Sequence, residues 1–288
     1  MNWTVVGQGA IGLLAACRLS LAGYPVSLWL RQPGPLQISF CGNKIDFQPA
    51  TTPINAVLIP VKSYAVVDAV TALLPHLTNN AQLVLSHNGM GTIDSVRPLL
   101  KGEQGLWFLT TTHAALKHPD EVLHTGVGQS VLAPLNAGAS VFSDQVAQTM
   151  ETALGPVTLT EDITAFLWQK LAINAAINPL TAIHNCRNGA LAQPEFQQQL
   201  NAVVAEVCLV AQASGVLLDQ QQLQHKVQQV ISATAQNFSS MQQDVQHKRR
   251  TEIEAINGYV VQQAKRYQLA VPHNEALLQQ VRQRSEQV

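Results

Sequence analysis

A lysine and two asparagines interrupt an otherwise apolar run in the second half of the chain. In Phe166-Leu-Trp-Gln-Lys170-Leu-Ala-Ile-Asn174-Ala-Ala-Ile-Asn178 they recur at i, i+4 and i+8. Along an α-helix, at about 100° per residue, the three positions fall within one sector of about 80°. An ammonium and two amides set into an oily wall are costly unless partners complete their hydrogen bonds. Those partners are either a structural network or the carboxylate, hydroxyl and carbonyl of a bound substrate. With a substrate, the lysine has a defined task. Hydride reaching a carbonyl carbon builds negative charge on the oxygen, and an adjacent ammonium both stabilises that charge and supplies the proton. Desolvation lowers a lysine pKa toward working pH, which suits a general acid.

Near the start of the chain, Gly7-Gln8-Gly9-Ala10-Ile11-Gly12 has the GxGxxG spacing, directly after the strand-like Trp3-Thr-Val-Val6 and at the opening of a helical stretch. In that context Gly7 permits a tight turn, Gly9 lets a pyrophosphate approach the backbone, and Gly12 lets helix and strand pack closely. The helix then points unpaired N–H groups and its positive dipole end at phosphate. The second strand-like run, Val26–Leu30, is followed by Arg31, with no acidic residue before Asp46. An NAD-specific site carries Asp or Glu there for the ribose hydroxyls, whereas a guanidinium pairs bidentately with the 2′-phosphate of NADP. NADP is the cofactor predicted. Lys62, just past the Val57–Ile59 run, reads either as a solvated surface lysine or as a cofactor or substrate contact.

Asn178 precedes Pro179, so the helix is predicted to kink or end there. That frees Asn188, in Asn185-Cys-Arg-Asn188-Gly189, to reach back from the following loop. Asn237-Phe-Ser-Ser240-Met-Gln-Gln-Asp244 reads by composition as a capped helix start. Alternatively, Ser240 offers its hydroxyl to a carboxylate. Glu252 offers a carboxylate to a ribose, to a substrate hydroxyl or to the lysine itself. Ser86-His-Asn88-Gly-Met-Gly-Thr92 follows a strand and places Asn88 in a glycine-rich loop that can meet a nicotinamide. His87 and His113, with no Ser or Asp partner in view, read as structural.

The elements that must hold these residues change character along the chain. Strand-like runs at 3–6, 25–30, 55–59, 82–86 and 105–112 alternate with helical stretches at 10–22, 64–75 and 92–100, the pattern of a mostly parallel sheet covered by helices. Hairpin-like pieces follow at 121–125 and 128–133, then a helix capped by Ser143 and a last strand at 156–159. From about Asp162 helical patterns run 162–184, 194–214, 218–238, 249–267 and 273–285. The fold class expected is α/β: an N-terminal dinucleotide-binding domain over 1–161 and an all-α C-terminal domain over 162–288, with a cleft between them. Gln-rich stretches such as Gln220-Gln221-Gln222 read as solvated helix faces.

The 288 residues, 47% hydrophobic and 12% charged with a net charge of −1, exclude wholesale disorder and give no basic footprint for nucleic acid. No run approaches the roughly 18 apolar residues of a membrane span. The strand-like start gives no sign of a signal peptide. The four cysteines lack metal-ligand spacing and read as buried thiols of a cytoplasmic protein.

Together these segments resemble the ketopantoate reductase family, over almost the whole chain. The resemblance rests on Gly7–Gly12, His87–Thr92, Thr110-Thr-Thr-His-Ala-Ala115, Lys170–Asn174, Asn178–Ile183 and Asn188-Gly189. It continues through Asn237–Asp244, Thr251–Ile253, Ile256–Gly258 and Val271-Pro272. It implies a Rossmann-type first domain and NADPH-dependent reduction of the small 2-keto acid ketopantoate to pantoate, in pantothenate and coenzyme A biosynthesis. It further implies that Lys170 is the proton donor, with Glu252 near the cofactor ribose and the active site. Asn174, Asn178, Asn188, Asn237 and Ser240 would bind substrate, Asn88 and Ala115 would lie near the nicotinamide, and Arg31 and Lys62 match cofactor positions. A monomer or homodimer is expected, with no metal. Two departures stand out: Arg187 occupies a position where the family pattern has Pro, implying a looser loop around Asn188, and 32–49 has little resemblance. The rival readings are a reductase of another branched 2-keto acid and an NADPH sensor without chemistry.

Overall fold

Trp3–Val6 and Ile54–Ile59 are short, nearly continuous apolar runs, the composition of strands covered on both faces. They lie side by side in parallel at the centre of a sheet. In the computed structural model, which describes residues 1–286, the strands are β1 (Trp3–Val6), β2 (Val26–Trp29), β3 (Leu36–Phe40), β4 (Asn43–Pro49), β5 (Ile54–Ile59) and β6 (Leu77–Leu85). They continue with β7 (Gly105–Thr111), β8 (Ala114–Lys117), β9 (Val122–Gly126), β10 (Ser130–Pro134) and β11 (Val157–Leu159). Nine form one sheet in the order β11-β10-β7-β6-β5-β1-β2-β4-β3, and β8 pairs with β9 separately. The chain leaves β1 toward β2 and returns on β1's other side as β5. The carboxyl ends of β1 and β5 therefore flank the reversal of strand order where open α/β sheets hold ligands.

Five helices accompany this sheet: α1 (Ala10–Leu21), α2 (Val66–Leu73), α3 (Thr92–Val96), α4 (Ala137–Ser140) and α5 (Ser143–Leu154). The apolar faces of α1, α4 and α5 share one core with the sheet that includes Trp3, Leu13, Leu14, Leu28, Phe47, Leu58 and Trp107, while α2 and α3 bury Val66, Val70, Leu73 and Val96 outside it. The remaining helices, α6 (Thr164–His184), α7 (Pro194–Ala213), α8 (Gln220–Ala233), α9 (Ser240–Gln246), α10 (Asn257–Arg266) and α11 (Pro272–Glu286), share a second core around Trp168, Leu171, Leu200, Val207, Val260 and Leu277. The chain divides into two compact units, Met1–His87 with Thr92–Ile163, and Asn88–Gly91 with Thr164–Val288. Gln287 and Val288, the end of the expected helical domain, lie outside the described residues. No helix among the described residues is long and apolar enough to cross a membrane.

Several expectations are corrected. The pieces at 121–125 and 128–133 do not form a hairpin with each other, because β9 pairs with β8 and β10 pairs antiparallel with β7. Gly128 lies between them against the backbone of Thr112 and His113, where a Cβ would come within 2.4 Å of both. The hairpin β3–β4 turns at Cys41-Gly42, with φ of 48° and 77°, the left-handed pair of a tight hairpin turn. Cys41 is therefore exposed, unlike the buried Cys17 and Cys208, and all four cysteines are free. Ser143 opens α5 without capping it; its hydroxyl donates to the Ser140 carbonyl. The stretch 249–267 is not one helix. α9 ends before it at Gln246, Lys248 follows with a φ of +55°, and α10 begins only at Asn257.

Pro179 does not end α6, which continues to His184. Proline lacks the N–H that would bond the carbonyl four residues back, so the Ala175 carbonyl loses its helical donor. Asn257 supplies one: its Nδ2 donates to that carbonyl at 3.1 Å and to Asn274 Oδ1 at 3.0 Å. Asn274 Nδ2 donates in turn to Glu206 Oε2 at 2.7 Å. The Glu206 carboxylate also accepts the N–H groups of His273 and Asn274, each at 2.9 Å, so it caps α11 from α7. Asn257 and Asn274 are fully buried. An Asn257→Ala variant should lose about 1–3 kcal/mol of unfolding free energy, since a buried carbonyl and a buried amide both lose their partner. Urea denaturation of the variant against the parent measures this. An unchanged midpoint would mean that the carbonyl has another donor.

Candidate active site

In the first unit the glycine turn closes on β1 and β5. Gly7 has φ +79°, and its N–H donates to the Trp29 carbonyl at 2.9 Å. A Cβ on Gly12 would lie 2.7 Å from Pro60 Cγ and 3.4 Å from Val5 Cγ1, so the loop leaving β5 packs directly on the first turn of α1. Gly9 is the N-cap residue of α1; no side chain caps this helix and its first turn holds no acid. Gln8 and Gly9 are exposed, while Ala10 and Ile11 are half-buried. Uncapped N–H groups at an exposed glycine turn, on the sheet's reversal point, fit the pyrophosphate of a dinucleotide. Arg31 is exposed just beyond β2, and Lys62 is half-buried just beyond β5, at the start of a 3₁₀ turn, Ser63–Ala65. The donors present are those an NADP phosphate requires.

Ala115 sits half-buried on β8. Two places farther on the same strand, Lys117 extends its Nζ to Gln8 Oε1 at 3.0 Å, and burial pulls its pKa below the usual lysine value. The two histidines read as structural have partners of their own. His87 Nε2 lies 2.6 Å from Thr92 Oγ1, and its ring meets Phe108 edge-on. His113 Nδ1 accepts the Gly128 N–H at 3.1 Å, which leaves the proton on Nε2, 3.0 Å from the Leu154 carbonyl oxygen. Desolvation lowers the pKa of His113, against the pull of that carbonyl.

In the second unit Lys170, Asn174 and Asn178 lie on α6 as their spacing predicts. Lys170 and Asn174 are half-buried and Asn178 is only 8% exposed. Crowding around Lys170 desolvates its ammonium and lowers the pKa from 10.5 to about 8, with the negative charge of Glu252 opposing the fall. Glu252 is buried and accepts from Asn88 Nδ2 at 3.4 Å. Lys170, Glu252 and Asn88 thus form one cluster. Asn88 is held there by the next two residues. The Met90 N–H donates to the Ala255 carbonyl at 2.9 Å, and Gly89, with φ +81°, passes so near that a Cβ would be 2.4 Å from the same oxygen. The side-chain amides of Asn174 and Asn178 make no hydrogen bond to the described residues.

Asn188 is seated by a short ladder. Its N–H donates to the Asn237 carbonyl at 2.9 Å, its Nδ2 to Thr234 Oγ1 at 2.8 Å, and the Gly189 N–H to the Ala235 carbonyl at 3.1 Å. Its Oδ1 is buried without a partner among the described residues. Arg187, expected to loosen this loop, has its guanidinium donating to the Gln236 carbonyl and stacked 4.7 Å from the Phe238 ring centroid. Ser239 caps α9, accepting the Gln242 N–H at 3.0 Å, and bonds Thr181 of α6 at 2.7 Å. Ser240, next along, is exposed, as is Asn237, and neither side chain bonds to the described residues. The bonds of Thr234 to Asn188, Ser239 to Thr181 and Lys117 to Gln8 leave no pattern in the sequence, because each joins groups far apart in the chain. No cluster of three or more His, Cys, Asp or Glu able to hold a metal occurs among the described residues.

Residues 3–137 match the family model described as ketopantoate reductase PanE/ApbA, and residues 162–285 match its C-terminal counterpart. The chain is 45% identical to a 2-dehydropantoate 2-reductase of Vibrio cholerae, over 98% of this chain and 97% of that one. It is 36% identical to the protein of the same name from Escherichia coli O157:H7, over 99% and 95%. Among solved structures it resembles a PanE/ApbA family ketopantoate reductase from Ralstonia eutropha JMP134, with 27% identity, a TM-score of 0.87 and coverage of 100% and 99%. It also superimposes on D-mandelate dehydrogenase with NADH and anilino(oxo)acetate, with 21% identity, a TM-score of 0.90 and coverage of 100% and 99%; this likeness shows the fold alone.

The link between Glu252 and Lys170 is testable by titration. Glu252→Gln removes the negative charge that favours the ammonium, so the Lys170 midpoint should fall below about 8. Isotope-labelled lysine followed by NMR across pH would show it; a midpoint that stays in place would mean that the carboxylate does not act on this lysine.

Proposed function

The chain belongs to the ketopantoate reductase family, and from that premise we propose that it reduces 2-dehydropantoate to pantoate with NADPH, in the cytoplasm. The observation that carries the mechanism is the Lys170 ammonium, desolvated to a pKa of about 8 on the same side of α6 as two amides that bond to none of the described residues. NADPH, when bound, supplies a hydride to the ketone carbon; Gly7, Gln8, Gly9, Ala10, Ile11 and Gly12 would hold its pyrophosphate, Arg31 its 2′-phosphate, and Lys62 and Ala115 further parts of it.

Lys170 holds a proton at the ketone oxygen and releases it as negative charge builds there. Glu252 keeps that lysine charged, and Asn88 fixes the carboxylate that does so. Asn174, Asn178, Asn188, Asn237 and Ser240 bind the substrate's hydroxyl and carboxylate. The buried Oδ1 of Asn188 suits a hydroxyl donor and not a carboxylate oxygen. Below a pH of about 8 Lys170 carries its proton and the rate is full; above it the acid form disappears and the rate falls.

Loss of NADPH absorbance with a panel of 2-keto acids tests the assignment. 2-Dehydropantoate should be consumed far faster than unbranched acids. Lys170→Ala should melt like the parent and lose roughly a hundred- to ten-thousandfold in kcat. Faster turnover of another branched acid would move the substrate assignment to it, and no turnover of any acid would leave a dinucleotide-binding protein without chemistry.

Arg31→Ala addresses the cofactor. It should weaken NADPH roughly tenfold or more, while NADH is little affected. Equal losses in fluorescence titrations would remove the 2′-phosphate from Arg31.

A further inference from the structure

The pyrophosphate of a dinucleotide carries two negative charges, and the glycine turn that would receive it has only backbone dipoles of its own. Gly7 to Gly12 contains no cation, and the first turn of α1 adds none. The side chain of Gln8, inside this turn, is hydrogen-bonded at 3.0 Å by the ammonium of Lys117, 109 positions later in the chain. What brings the two together is the small sheet β8–β9. Ala115 and Lys117, two residues apart, point to the same side of β8, while Leu116 between them is exposed on the other. Val122, opposite Lys117, is fully buried and anchors the sheet in the core of the first unit. His113 ties its base to the Leu154 carbonyl.

We propose that Lys117 is a cofactor-binding residue that supplies the positive charge for the dinucleotide pyrophosphate, with Gln8 holding it in place at the glycine turn. Gln8 is the one side-chain partner of Lys117 among the described residues, and no carboxylate pairs with it. An amide oxygen orients an ammonium without neutralising it, so the charge stays available to an anion. Burial penalises that charge, and a bound diphosphate would reverse the penalty.

This inference rests on the NADPH reading and differs from it in what it predicts. The diphosphate is common to NADPH and NADH, whereas the 2′-phosphate assigned to Arg31 is not. Lys117→Gln should therefore raise the Kd of both dinucleotides by a similar factor, roughly ten- to a hundredfold, with an unchanged melting temperature. The salt dependence of binding should also become shallower, and Lys117→Arg should recover most of the affinity. Fluorescence titrations of the whole protein with each dinucleotide give the readout, with no turnover required. Unchanged affinities, or a loss confined to NADPH, would overturn the role given to Lys117. Absence of NADPH binding by the parent protein would instead overturn the cofactor reading on which the inference stands.

Discussion

The second unit is arranged around a positive charge kept where water is scarce. Moving an ammonium out of bulk solvent favours its neutral form, and Lys170 is brought down to about 8 by that penalty. A buried carboxylate, Glu252, stops the fall there. Had the lysine been fully solvated it would hold its proton too tightly to act as an acid near neutral pH. Without an acidic neighbour its pKa would fall further. The amides along the same side of α6 complete the setting, since they add hydrogen-bonding capacity without a charge that would move the balance again.

Such a balance depends on where α6 lies, and α6 contains a proline one position after Asn178. The helix survives because the carbonyl that proline orphans is taken up by Asn257, itself tied through Asn274 to a glutamate that caps α11. One buried chain of amides thus connects α6, α7, α10 and α11. Groups of this kind are expensive to leave half-satisfied, so the same network that repairs the helix also fixes its neighbours.

What could be read before any coordinates were known follows the range over which each signal acts. The strand–turn–helix at Gly7–Gly12 and the helical period of Lys170, Asn174 and Asn178 are local patterns, and both lie where the spacing puts them. The tight turn at Cys41-Gly42 was also local, but cysteine in its first central position disguised it; the alternation of Ile38 and Phe40, then Ile45 and Phe47, was the available clue. Continuation of α6 past Pro179 was out of reach because its remedy lies 82 residues away in Asn257. Ser239 and Ser240 are adjacent and chemically identical, and only packing against Thr181 decides which of them becomes the cap. Arg187 in place of proline read as a loosened loop, yet its guanidinium ties back to the Gln236 carbonyl and the Phe238 ring, contacts that no backbone rule anticipates.

Residues 88–91 give the fold an unusual genealogy. They follow β6 in the chain, yet they group with the helices, where Gly89 nestles against the Ala255 carbonyl and Asn88 meets Glu252. The helical unit is thus assembled from two separate stretches of chain. A crossover between relatives at the single junction near residue 163 would hand one parent's helices a foreign tetrapeptide. Asn88 and Glu252, hydrogen-bonded although 164 positions separate them, would then come from different parents.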